Sequence, residues 1–177
     1  MKCNLINIII YAFIPFLIYS CSGGHKLSSY NKPGAKISKS DQIAVVPVNM
    51  GLEDSVVLPD AISTELVGFG FNVIDRSALT QRARDKGLDL SIIINEAEYY
   101  KLGYSTNVNQ LVIVNSQLHQ NTLVKNATVK VINAKDGSIL FSSTFQNPEP
   151  TNPYYIRNLD MIEIAKRFAE LLNNASN

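Results

Sequence analysis

The spacing of hydrophobic positions in residues 58–88 predicts a helix, a turn, a strand and a second helix. Ile62, Leu66 and Phe69 are separated by four and then three positions, which places them on one face of a helix. A short and mostly apolar run follows at residues 71–74, which is the length of a buried strand. This order, coming after an earlier strand, gives the β-α-β-α sequence that is typical of α/β layer proteins.

Residues that favour helix ends flank these elements. Pro59 suits a first helical turn, because its missing N–H would have no partner there. Gly68 and Gly70 are placed to close the first helix, since glycine takes a left-handed conformation at little cost. Asp75 or Ser77 can then cap the second helix. The two glycines are not a dinucleotide-binding loop, which follows a strand and opens a helix.

Two further strands and a helix are predicted around this stretch. Residues 42–48 are apolar almost throughout, which indicates a strand buried on both faces. Residues 111–114 form a second buried strand of the same kind. Between them we expect a helix over about residues 92–102, ended by Gly103 and followed by a polar loop. The predicted buried face of this helix consists of Ile93, Ala97 and Tyr100.

The last third of the domain predicts a hairpin and a helix. Residues 127–132 and 138–145 are strands joined by a turn containing Asp136 and Gly137, a strong hairpin signal. Ile139, Phe141 and Phe145 share one face of the second of these strands. The final helix covers about residues 153–173. Its predicted buried stripe is Tyr155, Leu159, Ile162, Ala165, Ala169 and Leu172.

These elements predict an α/β fold class. We expect a single three-layer-like domain over residues 41–177, with a small mixed sheet of about 4–5 strands that includes the C-terminal hairpin. About four helices pack against this sheet. A chain of this length suits one domain with one hydrophobic core.

Residues 1–20 have the pattern of a secretory signal peptide. Lys2 is their only charged residue, and the apolar stretch at residues 5–18 is interrupted only by Asn7. This stretch is shorter than the roughly 20 residues that a membrane-spanning helix needs. A retained membrane anchor is the alternative interpretation.

The end of this signal resembles a bacterial lipobox. Residues 18–21 read Ile-Tyr-Ser-Cys, and the resemblance implies that Cys21 becomes the acylated N-terminus after cleavage. Cys3 is lost with the signal, so Cys21 would otherwise be a lone thiol in an oxidising compartment. The alternative is an ordinary signal peptide cut nearby. Ser22 follows the cysteine, and by resemblance to enterobacterial lipoproteins this favours the outer membrane over the inner membrane.

Residues 21–40 are predicted to be a lipidated N-terminus and a flexible tether. The segment is rich in glycine and serine, carries four lysines and contains no acid before position 41. The lysines either touch anionic headgroups or simply keep a spacer solvated. Fully extended, the tether would reach at most roughly 65 Å.

Composition and motifs limit the functions that the chain can have. Once Lys2 is removed, 15 basic side chains face 15 acidic ones, so the mature domain lacks the basic excess of nucleic-acid binders. We find no catalytic residues, no cofactor motif and no metal-ligand cluster, since His119 stands alone and Cys21 is committed to lipid. Asp75 and Arg76 lie at a strand-to-helix junction. They form either a helix cap with a local ion pair or a contact with a partner or subunit.

The same junction carries a family resemblance. A strand, the run Asp-Arg-Ser-Ala-Leu at residues 75–79, a helix ending near residue 87 and a later hairpin with a glycine turn resemble the CsgG-type lipoprotein superfamily. That group includes the curli-secretion pore, the LpoB activators of peptidoglycan synthases and the PelC exopolysaccharide-export lipoproteins. The resemblance implies an α/β domain that acts through protein–protein contacts.

The resemblance leaves several functions open. We expect an outer-membrane lipoprotein on the periplasmic side that serves as a non-catalytic adaptor in envelope assembly or export. A pore is not expected, because no spare pair of strands of about 9–11 residues remains to cross a membrane. The alternatives are an activator of a peptidoglycan synthase, an envelope hydrolase and a homo-oligomeric ring subunit. The expected partners are the membrane, through acyl chains on Cys21, and envelope proteins.

Overall fold

The computed structural model describes residues 25–48, 56–88, 96–119, 123–147 and 160–176. They form β1 (Lys26–Asn31), β2 (Gln42–Pro47), α1 (Val57–Gly68), β3 (Asn72–Ile74), α2 (Arg76–Asp85), α3 (Glu96–Thr106), β4 (Gln110–His119), β5 (Leu123–Asn133), β6 (Ile139–Gln146) and α4 (Met161–Ser176). The predicted signal peptide and Cys21 lie outside the described residues.

The six strands form one mixed sheet in the order β1-β6-β5-β4-β2-β3. β2 runs parallel to both β3 and β4, and the remaining neighbours are antiparallel. The chain passes from β2 to β3 on one side and then returns past β2 to β4 on the other. Because crossovers between parallel strands are right-handed, the two connections place their helices on opposite faces of the sheet.

This arrangement gives one hydrophobic core on each face of the sheet. β2 contributes to both, since Ile43 and Val45 belong to one core while Ala44 and Val46 belong to the other. α1 and α4 cover the first face with Leu58, Ile62, Leu66, Ile164, Phe168 and Leu172. α2 and α3 cover the second face with Leu79, Ala83, Tyr99 and Leu102. The predicted three-layer α/β domain is confirmed, with six strands instead of 4–5.

The additional strand is β1, and it lies within the predicted tether. Lys26–Asn31 pairs antiparallel with β6 over six residues, from Lys26 opposite Gln146 to Asn31 opposite Phe141. Ile37 is buried in the first core. The prediction of a flexible segment is therefore wrong for these residues. Sequence periodicity gave no signal for β1, because all six residues of this edge strand are exposed.

The predicted helix before β4 ends later in the chain than expected. α3 continues through Gly103 to Thr106 and is followed by Asn107, which has a φ of 58°. Gly103 therefore does not end the helix. A Cβ at this position would lie 2.5 Å from the Cβ of Ala134 and 3.2 Å from Cδ1 of Leu111. The glycine is needed for close packing of α3 on the sheet.

The buried face of α3 also differs from the prediction. Tyr99, Leu102 and Thr106 are buried, whereas Tyr100 is only half-buried. Ile93 lies outside the described residues. The predicted face was wrong at Tyr100, and the side chain of Ala97 is not described.

The final helix confirms most of its predicted stripe. Ala165, Ala169 and Leu172 are buried, together with Ile164 and Phe168. Ile162 is 68% exposed, so its assignment to the stripe is wrong. Tyr155 and Leu159 lie outside the described residues.

The hairpin of β5 and β6 is confirmed, with Gly137 at a φ of 70° in its turn. Phe141 and Phe145 are buried on one face, but Ile139 is 37% exposed. A register shift between Val131 and Ile132 accounts for this difference, because it changes which face the start of β6 presents.

Candidate functional site

A cavity of about 620 Å³ opens between α1 and α2 at the carboxyl ends of β2 and β3. In α/β sheets, ligands and partners commonly bind outside the carboxyl ends of the parallel strands. We call this cavity the α1–α2 groove. Its walls are formed by Val45, Asp60, Ser63, Thr64, Ile74, Asp75, Arg76, Ser77, Thr80, Gln81 and Arg84.

The groove exists because β3 is short. β3 pairs with β2 only from Gln42 to Ala44 and ends at Ile74. The next residue of β2, Val45, therefore has no β3 residue opposite it and lies at the floor of the groove. The chain turns directly from Ile74 into α2, so the first turns of α2 face the side of α1.

Asp75 serves as the N-cap of α2. Its side chain accepts a hydrogen bond from the backbone N–H of Ser77 at 2.8 Å and a short one from the Ser77 hydroxyl. The hydrogen bond from the Ser77 hydroxyl is the main cause that lowers the pKa of the Asp75 carboxyl below its usual value. The predicted cap is confirmed at Asp75.

Arg76 forms an ion pair with a residue of α1. Its Nη2 lies 3.2 Å from Oδ2 of Asp60, and both side chains are partly exposed. The sequence offered Asp75 and Arg76 as a helix cap with a local ion pair. In the structure Asp75 caps α2, and the ion pair of Arg76 is with Asp60 of α1. The charge of Arg76 also helps to lower the pKa of Asp75.

A second cation in the groove was missed in the sequence. Arg76, Thr80 and Arg84 are spaced by four residues, so they lie on one face of α2. Thr80 donates to the carbonyl of Arg76 at 2.8 Å, which leaves its hydroxyl engaged within the helix. The Arg84 guanidinium forms no ion pair or hydrogen bond with any described residue. This spacing was the available signal for a functional face.

The groove has the chemistry of a recognition surface. Its walls carry two carboxylates and two guanidiniums, and hydroxyl and amide groups supply most of the rest. The groove therefore presents hydrogen-bond donors and acceptors, and side chains of both charges, on two helices. Its lining residues include no serine or cysteine paired with a histidine.

A smaller cavity of about 380 Å³ lies at the opposite end of the sheet, beside the turn between β5 and β6. Lys32, Lys36 and Lys135 line it together with Asp41 and Gln110. The Gln110 amide donates to Oδ2 of Asp41 at 3.3 Å, while its own oxygen has no partner. That oxygen is buried within the domain.

The described ranges contain no cluster of three or more His, Cys, Asp or Glu residues able to hold a metal ion. Within the same ranges no helix has both the length and the apolar character to cross a membrane. The position of His119 is in β4, and its side chain is not described.

Comparison with known proteins gives matches to solved structures alone. No family model and no curated protein matches the sequence. PelC from Paraburkholderia phytofirmans, solved as a dodecamer, aligns with 12% identity and a TM-score of 0.49 over 87% of this chain and 100% of its own. The LpoB C-terminal domain from Salmonella enterica aligns with 10% identity and a TM-score of 0.49 over 61% of this chain and 82% of its own.

A third structure, the lipoprotein GNA1162 from Neisseria meningitidis, aligns with 13% identity and a TM-score of 0.48. It covers 77% of this chain and 97% of its own. At these identities and TM-scores, the likenesses decide nothing about what this chain does.

Proposed function

We propose that this chain is an envelope lipoprotein that is anchored to the periplasmic face of the outer membrane through acyl chains on Cys21. It acts as a non-catalytic adaptor in envelope assembly or export, and the α1–α2 groove binds its protein partner. The observation that carries this proposal is the arrangement of Arg76, Asp60 and Arg84 on two rigid helices. Cys21 contributes the anchor by its lipobox context.

The groove favours a protein partner for electrostatic reasons. The Arg76–Asp60 pair is exposed, so water screens it and a partner can rearrange it at a cost below about 1 kcal/mol. Arg84 is left without a carboxylate among the described residues. Arginine is favoured at the centres of protein interfaces, where its planar group forms two parallel hydrogen bonds with a carboxylate. We therefore expect an acidic residue of the partner at Arg84.

Activation of a peptidoglycan synthase is less favoured than an adaptor role. A lipoprotein in the outer membrane needs a long tether to reach a synthase in the inner membrane. β1 begins at Lys26, which removes most of the predicted tether. The 65 Å reach calculated for 19 residues therefore does not apply.

A homo-oligomeric ring subunit is a second candidate, and the exposed edge strand β1 favours it. Unpaired backbone groups along an edge strand can pair with a second chain. The mass of residues 22–177 in solution, measured by light scattering, distinguishes a ring from a monomeric adaptor. A monomer at micromolar concentration would remove the ring from consideration.

The adaptor proposal is tested by crosslinking from the groove in intact envelopes. A photo-activatable amino acid replaces Gln81, which is exposed and lines the groove. The control position is Lys101, which is exposed on α3. Mass spectrometry then identifies the captured proteins. We expect an envelope assembly or export protein to be captured from Gln81 and not from Lys101.

Charge reversal gives the matched control. Arg84→Glu is expected to reduce the captured partner at least several-fold, because it places like charges together. Lys101→Glu changes the net charge equally outside the groove and is expected to leave capture unchanged. Capture of a peptidoglycan synthase would support the activator instead. Equal capture from both positions would remove the groove from the proposal.

A further inference from the structure

The first described residue of the chain is held firmly to the sheet. Nδ1 of His25 lies 2.8 Å from Oδ1 of Asn147, and its ring stacks on Phe145 with a centroid distance of 5.9 Å. Lys26 then enters the ladder between β1 and β6. The only residues between Cys21 and this fixed point are 22–24.

This short connection limits the distance between the proposed lipid anchor and the domain. Four peptide units separate the Cα atoms of Cys21 and His25, and they span at most about 14 Å when fully extended. An acylated Cys21 lies at the membrane surface. His25, the residue before β1, must therefore lie within about 14 Å of that surface.

Four neighbouring strands lie side by side at the end of the sheet where β1 begins. The register places Lys26 opposite Gln146, Gln146 opposite Asn126, and Asn126 opposite Gln117. These four residues therefore form a row across β1, β6, β5 and β4, which we call the anchor row. With strands spaced about 4.8 Å apart, the row is about 14 Å wide.

At the anchor row, β4 continues past the point where its pairing with β2 ends. β4 pairs with β2 only as far as Val114 opposite Pro47, whereas it continues beside β5 to His119. At about 3.3 Å per residue, Gln117 of the anchor row lies roughly 10 Å past Val114, the last residue of β4 that pairs with β2. Val45 lines the α1–α2 groove and pairs with Val112, so this part of the groove lies roughly 17 Å from the anchor row along the strand direction.

The charge at this end suits a membrane surface. The described residues at the ends of these four strands include Lys26 and Lys125, and none of residues 25–31, 115–119, 123–126 or 144–147 is acidic. Glu149 lies outside the described residues. Lysine side chains near an anionic leaflet are attracted to its headgroups.

We propose that the anchor row faces the membrane and contacts phospholipid headgroups, so that the domain stands on its leaflet with the groove held above the surface. This orientation rests on the acylation of Cys21 proposed above. It makes the partner of the groove a protein that lies close to the same membrane, because the short connection does not let the domain move away.

The test uses the full chain, purified after processing and inserted into vesicles of phosphatidylethanolamine and phosphatidylglycerol. Mass spectrometry first establishes whether Cys21 is acylated. Acylation leaves an introduced cysteine as the only free thiol of the mature chain. A fluorescent label is placed by Gln146→Cys in the anchor row or by Asp136→Cys at the opposite end of the sheet. A quencher attached to lipid headgroups reports proximity.

We expect several-fold stronger quenching at position 146 than at position 136. Insertion of about 20 Gly and Ser residues after Ser22 is expected to abolish the difference, because the longer linker lets the domain leave the surface. An acylated protein with equal quenching at both positions would overturn the orientation and leave the lipoprotein proposal intact. A chain without acylation would overturn both.

Discussion

Nη2 of Arg76 in α2 lies 3.2 Å from Oδ2 of Asp60 in α1, so an ion pair joins the two walls of the groove. Both side chains are more than a third exposed, and exposed pairs contribute little because water screens them. The pair therefore positions charge for a partner more than it stabilises the domain.

A double-mutant cycle of Asp60→Ala and Arg76→Ala measures this directly. We expect a coupling free energy below about 1 kcal/mol, which decreases further at high salt. The measurement is the free energy of unfolding from urea denaturation of the four proteins. A coupling of several kcal/mol would show that the groove is not solvated, and the argument for a surface that a partner can rearrange would fail.

Removal of the cap on α2 is expected to destabilise the domain in a pH-dependent way. Asp75→Ala removes the acceptor for Ser77, whereas Asp75→Ser keeps an acceptor at the same position and serves as the control. Because the pKa of Asp75 is lowered in the folded state from its usual 3.8, the carboxylate stabilises the fold above pH 3.8. This contribution is lost as the pH falls through the folded-state pKa.

Thermal unfolding of these proteins between pH 7 and pH 2.5 tests this dependence. The melting temperature of Asp75→Ala is expected to lie below that of the wild type at pH 7, and the gap is expected to close below pH 3.8. A gap that stays constant with pH would mean that the carboxylate charge plays no part in the cap.

Gly103→Ala is expected to cost at least about 1–3 kcal/mol of stability, as overpacking a tight core contact does. The added Cβ would lie 2.5 Å from the Cβ of Ala134. Gly68→Ala is the matched control, because a Cβ added there would have no atom within 4 Å and the residue is helical. Chemical denaturation of both variants gives the comparison, and Ala134→Gly is expected to restore part of the loss at position 103.

The hydroxyl of Tyr99 fixes α3 to the end of β2. It lies 2.8 Å from the carbonyl oxygen of Val48 and 3.0 Å from that of Pro47. Tyr99→Phe is therefore expected to cost about 1 kcal/mol, with Tyr104→Phe on the exposed side of the same helix as the neutral control. Equal stability of the two variants in urea would contradict this role.

Burial raises the pKa of Tyr99 to about 12, and the nearby charge of Glu98 adds to this effect. The unfolded chain loses this proton near pH 10, so the contribution to stability is complete below pH 10 and is lost as the pH rises toward 12. Alkaline unfolding of the wild type is expected in this window, with a smaller pH dependence in Tyr99→Phe. Absorbance of tyrosinate reports loss of the tyrosine proton, and circular dichroism reports unfolding.

Removal of β1 is expected to weaken the domain even though its residues were predicted to be a tether. A soluble chain that starts at Lys32 loses the six-residue ladder with β6, including the bond from Ser143 to the carbonyl of Ser28. It also turns β6 into an exposed edge, which favours aggregation. We expect a lower denaturation midpoint and more aggregation than for a chain that starts at Ser22. Equal midpoints would restore the tether interpretation.

The sequence by itself determined the elements whose burial follows a regular period. Ile43 to Val46 lie in a strand buried on both faces, and their apolar run gave that strand without further information. Residues 58–88 gave α1, β3 and α2 and limited the cap of α2 to Asp75 or Ser77, because a cap and its bonds are local to a few residues. The hairpin followed from Asp136 and Gly137 for the same reason.

Tertiary structure alone decided the features that depend on neighbours far along the chain. β1 has no buried side chain, so only its hydrogen bonds with β6 define it as a strand. Gly103 reads as a helix end in the sequence, and only the proximity of Ala134 makes it an interior contact. Arg76 selects Asp60 over its neighbour Asp75 because β3 brings the two helices together and Asp75 is occupied by Ser77. Hydrophobic periodicity and helix capping depend on residues close together in the sequence. Contacts between residues far apart in the sequence depend on the topology of the fold.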